Sequence, residues 1–337
     1  MSIEFQQRCG TLIEDLGLGR ANDISRVIPL TGGVASDIAQ VDLGNRSVCV
    51  KFALPKLKVA ADWRAPVHRN AAEYAWLKVA AQVQPESSLT LFGHSVVQNG
   101  FAMEFLAGSD VYLWKEALLS QAPDKGEAQA VADMLGKIHA ASGQDGFDRG
   151  PFQNRDDFYA LRIEPYLVFT AQQHPNLAKD LTVLADMLYA SNRVLVHGDV
   201  SPKNILFRTS GPVLLDAECA TIGDASFDVS FCLNHLVIKA LHLPACRDRL
   251  LSNVEEFWQS YARYVTWEPV QDLEERICRL LPALMLGRVD GKSPVEYLDA
   301  HEQAALRALA CDLLHASPKR LPELVTILKT KLKEIGT

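Results

Sequence analysis

No stretch of this chain approaches the ~20 apolar residues that cross a bilayer as a helix. LLPALMLG at 280–287 is among its longest apolar runs, so no transmembrane helix and no membrane partner are expected. The opening MSIEFQQRCG lacks both a charged n-region and an apolar h-region. No secretion signal is read, and a cytoplasmic location is expected. A basic excess is also missing: 41 acidic residues against 34 basic ones give a net charge of −7. That argues against a nucleic-acid partner. None of the seven cysteines (Cys9, Cys49, Cys219, Cys232, Cys246, Cys278 and Cys311) forms a C-x-x-C pair, which excludes a zinc ribbon and gives no disulfide framework. Reduced, packed thiols are the expectation. No internal repeat or low-complexity tract appears. What is present, 48% apolar and 22% charged residues over 337 positions, is an ordinary globular composition with room for about two domains.

Polarity patterns divide the chain unequally. VCVKFA (48–53) alternates and is rich in β-branched residues, and a strand across Ile38–Leu43 would pair with it through a turn at Gly44-Asn45. Residues 70–82, NAAEYAWLKVAAQ, are strong helix formers with Tyr74, Leu77 and Ala81 on one face. SVVQNGFAMEFL (95–106) reads as a second hairpin turning at Asn99-Gly100. Beyond Gly108, amphipathic helical patterns dominate, at 126–141, 156–170, 176–190, 248–265, 270–286, 293–316 and 319–335. Short β runs interrupt them at 194–199, 204–207 and 213–218. A boundary near 107 is therefore expected, between a small α+β part and a larger helical one.

The stretch VLVHGDVSPKNILFRTSGPVLLDAE gathers His197, Asp199, Asn204, Asp216 and Glu218 on strand ends and tight loops. A carboxylate followed five residues later by an amide, then by acids beyond a hairpin, fits a phosphoryl-transfer site. Asp199 would accept a hydroxyl proton, while Asn204 and Asp216 offer hard oxygen ligands suited to Mg²⁺. Taken singly, each acid is a solvated turn residue and His197 a packed core histidine. The ordered set is what points to chemistry.

HGDVSPKN resembles the H-G-D-x-x-x-x-N loop of the aminoglycoside phosphotransferase superfamily, relatives of the protein kinases. LLDAE stands where that family has its metal-binding acidic motif, and FDVSF, with Asp228, is similar to its loop-bracing F-D segment. The resemblance implies an α+β, bilobal protein-kinase-like fold, with a small β-rich N-lobe (1–106) for nucleotide and a larger, mainly helical C-lobe (107–337) for catalysis and acceptor. It implies ATP and Mg²⁺ as cofactors, Asp199 as catalytic base, Asn204 and Asp216 as metal ligands and Glu218 as a further candidate ligand. His197 and Asp228 would support the loop through hydrogen bonds. In the N-lobe, Lys51 matches the strand lysine that meets nucleotide phosphates and Glu73 its helix partner. Gly32 and Gly33 of LTGGVASD would lie over the phosphates, although a pair of glycines is usually just a turn. FAMEFLAG would be the hinge along the adenine, with backbone contacts at Glu104 and Leu106. His139 in DMLGKIHA is read as structural.

VKFALPKLKVAADW and the D-x-E form of LLDAE resemble the methylthioribose kinase branch. Two positions depart from that branch, which has a serine where Asn204 stands and a paired arginine where LMLGRVDGKSP offers only Arg288. Arg288, in a Gly-punctuated loop, is either a substrate contact or the partner of a neighbouring carboxylate. Trp258, Tyr261 and Trp267 are read as core. Six Lys/Arg against the single acid Asp62 between Arg46 and Asn70 make a basic face. The expected partner is a small hydroxylated metabolite such as a sugar, thiosugar, amino alcohol or aminoglycoside, and the branch resemblance allows a homodimer. The rival from another class is a catalytically silent kinase-like binding protein. A protein kinase is disfavoured, because no A-P-E-like segment follows LLDAE.

Overall fold

A computed structural model of the chain describes residues 2–30, 36–44, 46–56 and 66–335. Helix α1 (Ile3–Asp15) is followed by β1 (Ile24–Leu30), β2 (Ser36–Leu43) and β3 (Arg46–Ala53), then α2 (Arg69–Val83), β4 (Leu91–Ser95) and β5 (Gly100–Glu104). The strands form one antiparallel sheet in the order β1-β2-β3-β5-β4. Strand alternation sorts the two faces of β3. Val48, Val50 and Phe52 point into a core shared with Cys9, Leu12 and Ile13 of α1. Cys49 points the other way, into the larger core with Trp76 and Leu77 of α2. Lys51, two residues on, shares the face of Cys49.

The larger, mainly helical part holds β6 (Tyr112–Leu113), α3 (Trp114–Leu119), α4 (Glu127–Ser142), α5 (Arg155–Phe158), α6 (Phe169–Gln173) and α7 (Ala178–Ala190). A π-helical segment, Tyr159–Val168, joins α5 to α6. Strands β7 (Val194–Val196), β8 (Ile205–Arg208), β9 (Gly211–Leu214) and β10 (Thr221–Gly223) come next. They are followed by α8 (Ala225–His242), α9 (Arg247–Ala262), α10 (Val270–Asp290), α11 (Ala300–His315) and α12 (Leu321–Ile335). Antiparallel β7–β10 and β6–β8–β9 ribbons carry the loops between the two parts. Among the described residues no single helix is long and apolar enough to cross a membrane. The seven cysteines are free, and five are buried.

The expected bilobal α+β architecture is what the chain adopts, with local differences. Leu43 pairs with Arg46 as read, Asn45 lying outside the described residues. The second hairpin turns over 96–99 rather than at Asn99-Gly100, so its first strand is Leu91–Ser95 and the exposed Val96 and Val97 belong to the turn. The helix read over 293–316 starts only at Ala300, where Asp299 and Glu302 make a reciprocal capping box. The single helix expected over 156–170 is broken by π geometry around Pro165. Arg288 lies in the last turn of α10, not in a loop. Helix α8 was not expected over its full length, because seventeen of its eighteen residues are buried and no polar face interrupts it. The aromatic cluster behaves as read: Trp258 and Tyr261 are core.

Candidate active site

β7 delivers the chain into the loop His197–Asn204, and Gly198 allows its turn. Gly198 has φ +81°, and a Cβ there would sit 2.9 Å from Cys219 Cβ, so only glycine fits without strain. Asp228, in the first turn of α8, accepts from the amides of His197 at 2.6 Å and Gly198 at 2.8 Å. His139 lies 3.3 Å from the same carboxylate and 2.6 Å from the Tyr261 hydroxyl. His197 Nδ1 accepts from the Asp199 amide at 3.1 Å, its ring packs edge-on to Trp76, and burial pushes its pKa down. His139, His197 and Asp228 thus hold the backbone of the loop in place.

The Asp199 carboxylate is buried and asymmetric. Oδ2 lies 3.1 Å from Arg162 Nη2 and 3.4 Å from Lys203 Nζ, whereas Oδ1 has no partner among the described residues. Burial works to raise its pKa, but Lys203 and Arg162 outweigh this and hold it well below the usual carboxylate range. Arg162 projects from the π segment and also donates to the Gly198 and Leu161 carbonyls, so its guanidinium is fixed. The Asn204 amide nitrogen donates to the Asp199 carbonyl at 3.1 Å, which turns its oxygen away and leaves that oxygen available.

Across the cleft, Lys51 Nζ sits 2.7 Å from Glu73 Oε1 and 2.5 Å from Asp216 Oδ1. The Asp216 amide also donates to Glu73 at 3.1 Å. Burial opposes the charge on Lys51, yet Asp216, Glu73 and Glu218 keep its pKa above the ordinary value. Asp216 is held low by Lys51 and Lys203 against burial. It adopts φ +69°, a conformation sparsely populated by non-glycine residues and concentrated at functional sites. Glu218 pairs with the fully buried Arg69 at 2.7 Å; burial and Asp216 push its pKa up, and Arg69 restrains it. Arg69 further donates to the Pro66 and Leu54 carbonyls, tying the start of α2 to the loop after β3.

Lys51, Glu73, Asn204 and Asp216 open onto a cavity of about 290 Å³ that also touches Glu104 and Leu106. Its far end is apolar, with Ile38, Leu89, Met103 and Leu206, a slab suited to a flat ring beside a charged end suited to phosphates. The Glu104 amide is used by Thr90 in sheet pairing, and its side chain is held by Arg208 at 3.0 Å. Lys203 lines the same cavity, and the charges of Asp199 and Asp216 raise its pKa. No group of three or more His, Cys, Asp or Glu with metal-binding geometry occurs among the described residues. A two-oxygen site from Asn204 and Asp216 fits Mg²⁺, which is commonly held by one or two protein ligands plus phosphates and water.

Gly32 and Gly33 lie outside the described residues, as do Asp62, Lys58 and Arg64 of the basic stretch. Arg288 is brought toward Tyr166 rather than into the nucleotide cavity. Arg69, Arg162 and Lys203 were not singled out from the sequence. Arg162 did carry a signal, a lone arginine in the apolar run LRIEPYLVF beside a helix-breaking proline.

A lysine–glutamate pair under a small sheet, facing an Asp–Asn loop and a second acid from a helical lobe, defines the class: a kinase-like phosphotransferase. The sequence profile of the phosphotransferase enzyme family (APH) matches residues 26–264, and the chain belongs to that family. It is 23% identical over 287 residues to the methylthioribose kinase of Erwinia tasmaniensis, covering 74% of this chain and 67% of that protein. With the methylthioribose kinase of Bacillus cereus it shares 21% over 292 residues, 78% of this chain and 70% of the relative. Among solved structures, a choline/ethanolamine kinase family protein from Mesorhizobium loti superposes with a TM-score of 0.53 at 14% identity, covering 98% of this chain and 100% of the other. An amicoumacin kinase solved with AMP-PNP and Ca²⁺ gives 0.53 at 14% identity, over 96% and 100%. These two likenesses concern the fold.

Proposed function

We propose that this protein transfers the γ-phosphate of ATP to a hydroxyl of a small metabolite, with Asp199 as the base. The observation that carries the reading is the asymmetry of Asp199. One oxygen is held by Arg162 and Lys203, and the other is buried with no partner among the described residues, while Lys203 itself lines the cavity. An acceptor hydroxyl would donate to Oδ1, which takes its proton as the oxygen attacks phosphorus. Lys203 and Arg162 keep the carboxylate ionised and aimed.

In this reading residues 1–106 bind the nucleotide and 107–337 supply the catalytic loop and the acceptor site. Lys51 exchanges one carboxylate, Asp216, for phosphate oxygens, while Glu73 keeps its ammonium in place. Asn204 and Asp216 hold Mg²⁺, with Glu218 behind them on Arg69. Bound Mg²⁺ supplies charge neutralisation on the phosphates and orients them for in-line transfer. The amicoumacin kinase, which shares the fold, was solved with AMP-PNP and Ca²⁺, which supports a nucleotide and a divalent ion as ligands here.

ATP consumption is measured with Mg²⁺ across a panel of sugars, thiosugars, amino alcohols, hydroxy acids and aminoglycosides. Stoichiometric, acceptor-dependent ADP release is expected for at least one class. Nucleotide binding with no turnover for any of them would instead identify a silent binding protein.

A further inference from the structure

Helix α8 is buried along nearly its whole length, yet it carries two ionisable groups one turn apart, His235 and Lys239. Lys239 is 1% exposed. Among the described residues its ammonium has one hydrogen-bond partner, the Tyr297 hydroxyl at 3.4 Å, and it lies 5.1 Å from the centre of that ring. Arg288, in the last turn of α10, is 8% exposed. It donates through Nη1 to the Tyr166 hydroxyl at 3.2 Å, the Ser293 carbonyl at 2.5 Å and Ser293 Oγ at 3.2 Å, and its Nε is buried with no partner among the described residues.

Among the described residues neither cation has a carboxylate within ion-pairing distance, in contrast to the buried cations of the cleft. Lys51, Arg69 and Arg162 each have an acid between 2.5 and 3.1 Å. Glu296, the acid whose charge acts on Lys239, is mostly exposed and already paired with Lys115. Lys239 and Arg288 also act on each other, and burial together with Lys115 and Arg288 pushes the Lys239 pKa down to about 7. Two like charges held in a dry place are costly unless a counter-charge joins them.

Their location says what that counter-charge belongs to. Tyr166, which meets Arg288, follows Arg162 by one turn of the π segment, and Arg162 holds Asp199. Burial, with Arg288 and Lys239, pushes the pKa of His235 well down, and the charge of Asp199 opposes this. Through Arg162 and Tyr166, the segment that holds Asp199 Oδ2 is therefore also the one that meets Arg288. The Gly291–Asp299 loop covers their far side through Ser293 and Tyr297.

We propose that Lys239 and Arg288 form the anion-binding end of the acceptor site, so that the phosphorylated molecule is a hydroxylated metabolite bearing a carboxylate or a phosphate. Cationic acceptors, such as aminoglycosides and amino alcohols, meet the wrong sign of charge there. The substrate class rests on the phosphotransferase reading of Asp199; the anion site itself does not.

The test is a thermal-shift and calorimetric titration of the full chain loaded with AMP-PNP and Mg²⁺, so that the nucleotide cavity is filled. The probes are matched sets: glycerol, glycerate and glycerol 3-phosphate; ribose, ribonate and ribose 5-phosphate; and choline as the cation. At least one anionic member is expected to bind about thirtyfold more tightly than its neutral parent, and carboxylate against phosphate separates the two sources of charge. Lys239→Met should abolish that preference and leave AMP-PNP affinity unchanged. It should also raise the melting temperature of the ligand-free protein, because it removes an unpaired buried charge. Arg288→Gln is the second variant, with the same loss of preference expected. The proposal is overturned if no anion shifts the wild type, if both variants keep the preference, or if choline or a neutral parent binds as tightly as the anions. Phosphate transfer is scored separately. Anion binding that is sensitive to Lys239→Met without transfer to any compound removes the phosphotransferase reading alone, whereas transfer only to choline or a neutral sugar removes the anion site alone.

Discussion

Lys51 and Lys239 are both lysines buried to within a few percent of completely, and their surroundings drive them in opposite directions. Lys51 lies between Glu73 and Asp216, which hold it charged. Lys51→Met would leave two acids facing one another in a dry place, so folding stability should fall by about 3–5 kcal/mol, with Mg·ATP affinity lost as well. Urea denaturation measures the first; a loss below about 1 kcal/mol would show that the acids find other partners. Lys239 is the reverse case. Its folded pKa, about 7, lies below the ordinary lysine value near ~10.4, so between those limits the unfolded chain binds the extra proton and folding gains stability as pH rises. The stability advantage of Lys239→Met over wild type should therefore shrink from pH 7 to pH 10. Burial drives this shift, with Lys115 and Arg288 adding to it, and Glu296 and Cys232 oppose it. An advantage that stays constant over that range would contradict a depressed Lys239.

At the scale of elements, the acceptor side depends on how the π segment seats on α10. Gly287 makes that contact: a Cβ there would lie 2.5 Å from the Tyr166 carbonyl oxygen. Gly287→Ala should push the segment away and carry Arg162 and Tyr166 with it. The expected result is a raised acceptor KM and a lowered kcat with nucleotide affinity retained, since the nucleotide cavity does not touch that segment. Steady-state kinetics against a nucleotide titration separates the two effects, and equal losses in both would mean a global defect. Helix α10 was legible over 270–286, whereas the π segment was read only as part of an unbroken helix over 156–170. The His197–Asn204 loop and the acid after β9 could be read because their residues are adjacent in sequence and sit between short β runs. Helix α8 could not, because burial on every side erases the 3.6-residue period that marks a helix. The π segment could not either, since Pro165 and tertiary packing, not hydrophobic spacing, set its geometry. Arg162, Arg69 and Lys239 were not singled out for the same reason: burial is a property of the fold, and composition defaults to exposed cations.

For the whole molecule, charged pairs cross between the two lobes at the site, beside a hydrophobic core that runs through both. Lys51 with Asp216, Arg69 with Glu218 and Arg208 with Glu104 all cross from one to the other. The N-lobe lysine and the C-lobe acid that would engage phosphate and metal are thus each other's partners before any ligand arrives. The bilobal plan was legible from the change in pattern near Gly108, and the Lys51–Glu73 pairing from their order on strand and helix. The net charge of −7 predicted nothing about the cleft, where Lys51, Arg69, Arg162 and Lys203 stand against Glu73, Asp199, Asp216 and Glu218. Four cations balance four acids there, so an anionic nucleotide meets no excess of like charge.

Asp199→Asn keeps the shape of the loop and removes only the acceptor of the hydroxyl proton. With an acceptor found in the panel, single-turnover phosphate transfer by this variant is compared with wild type beside a titration of Mg·ATP. Transfer slowed by roughly 10²–10⁴-fold with nucleotide affinity unchanged is the result expected of a general base. Transfer at the wild-type rate would contradict it and move the proton's destination away from Asp199.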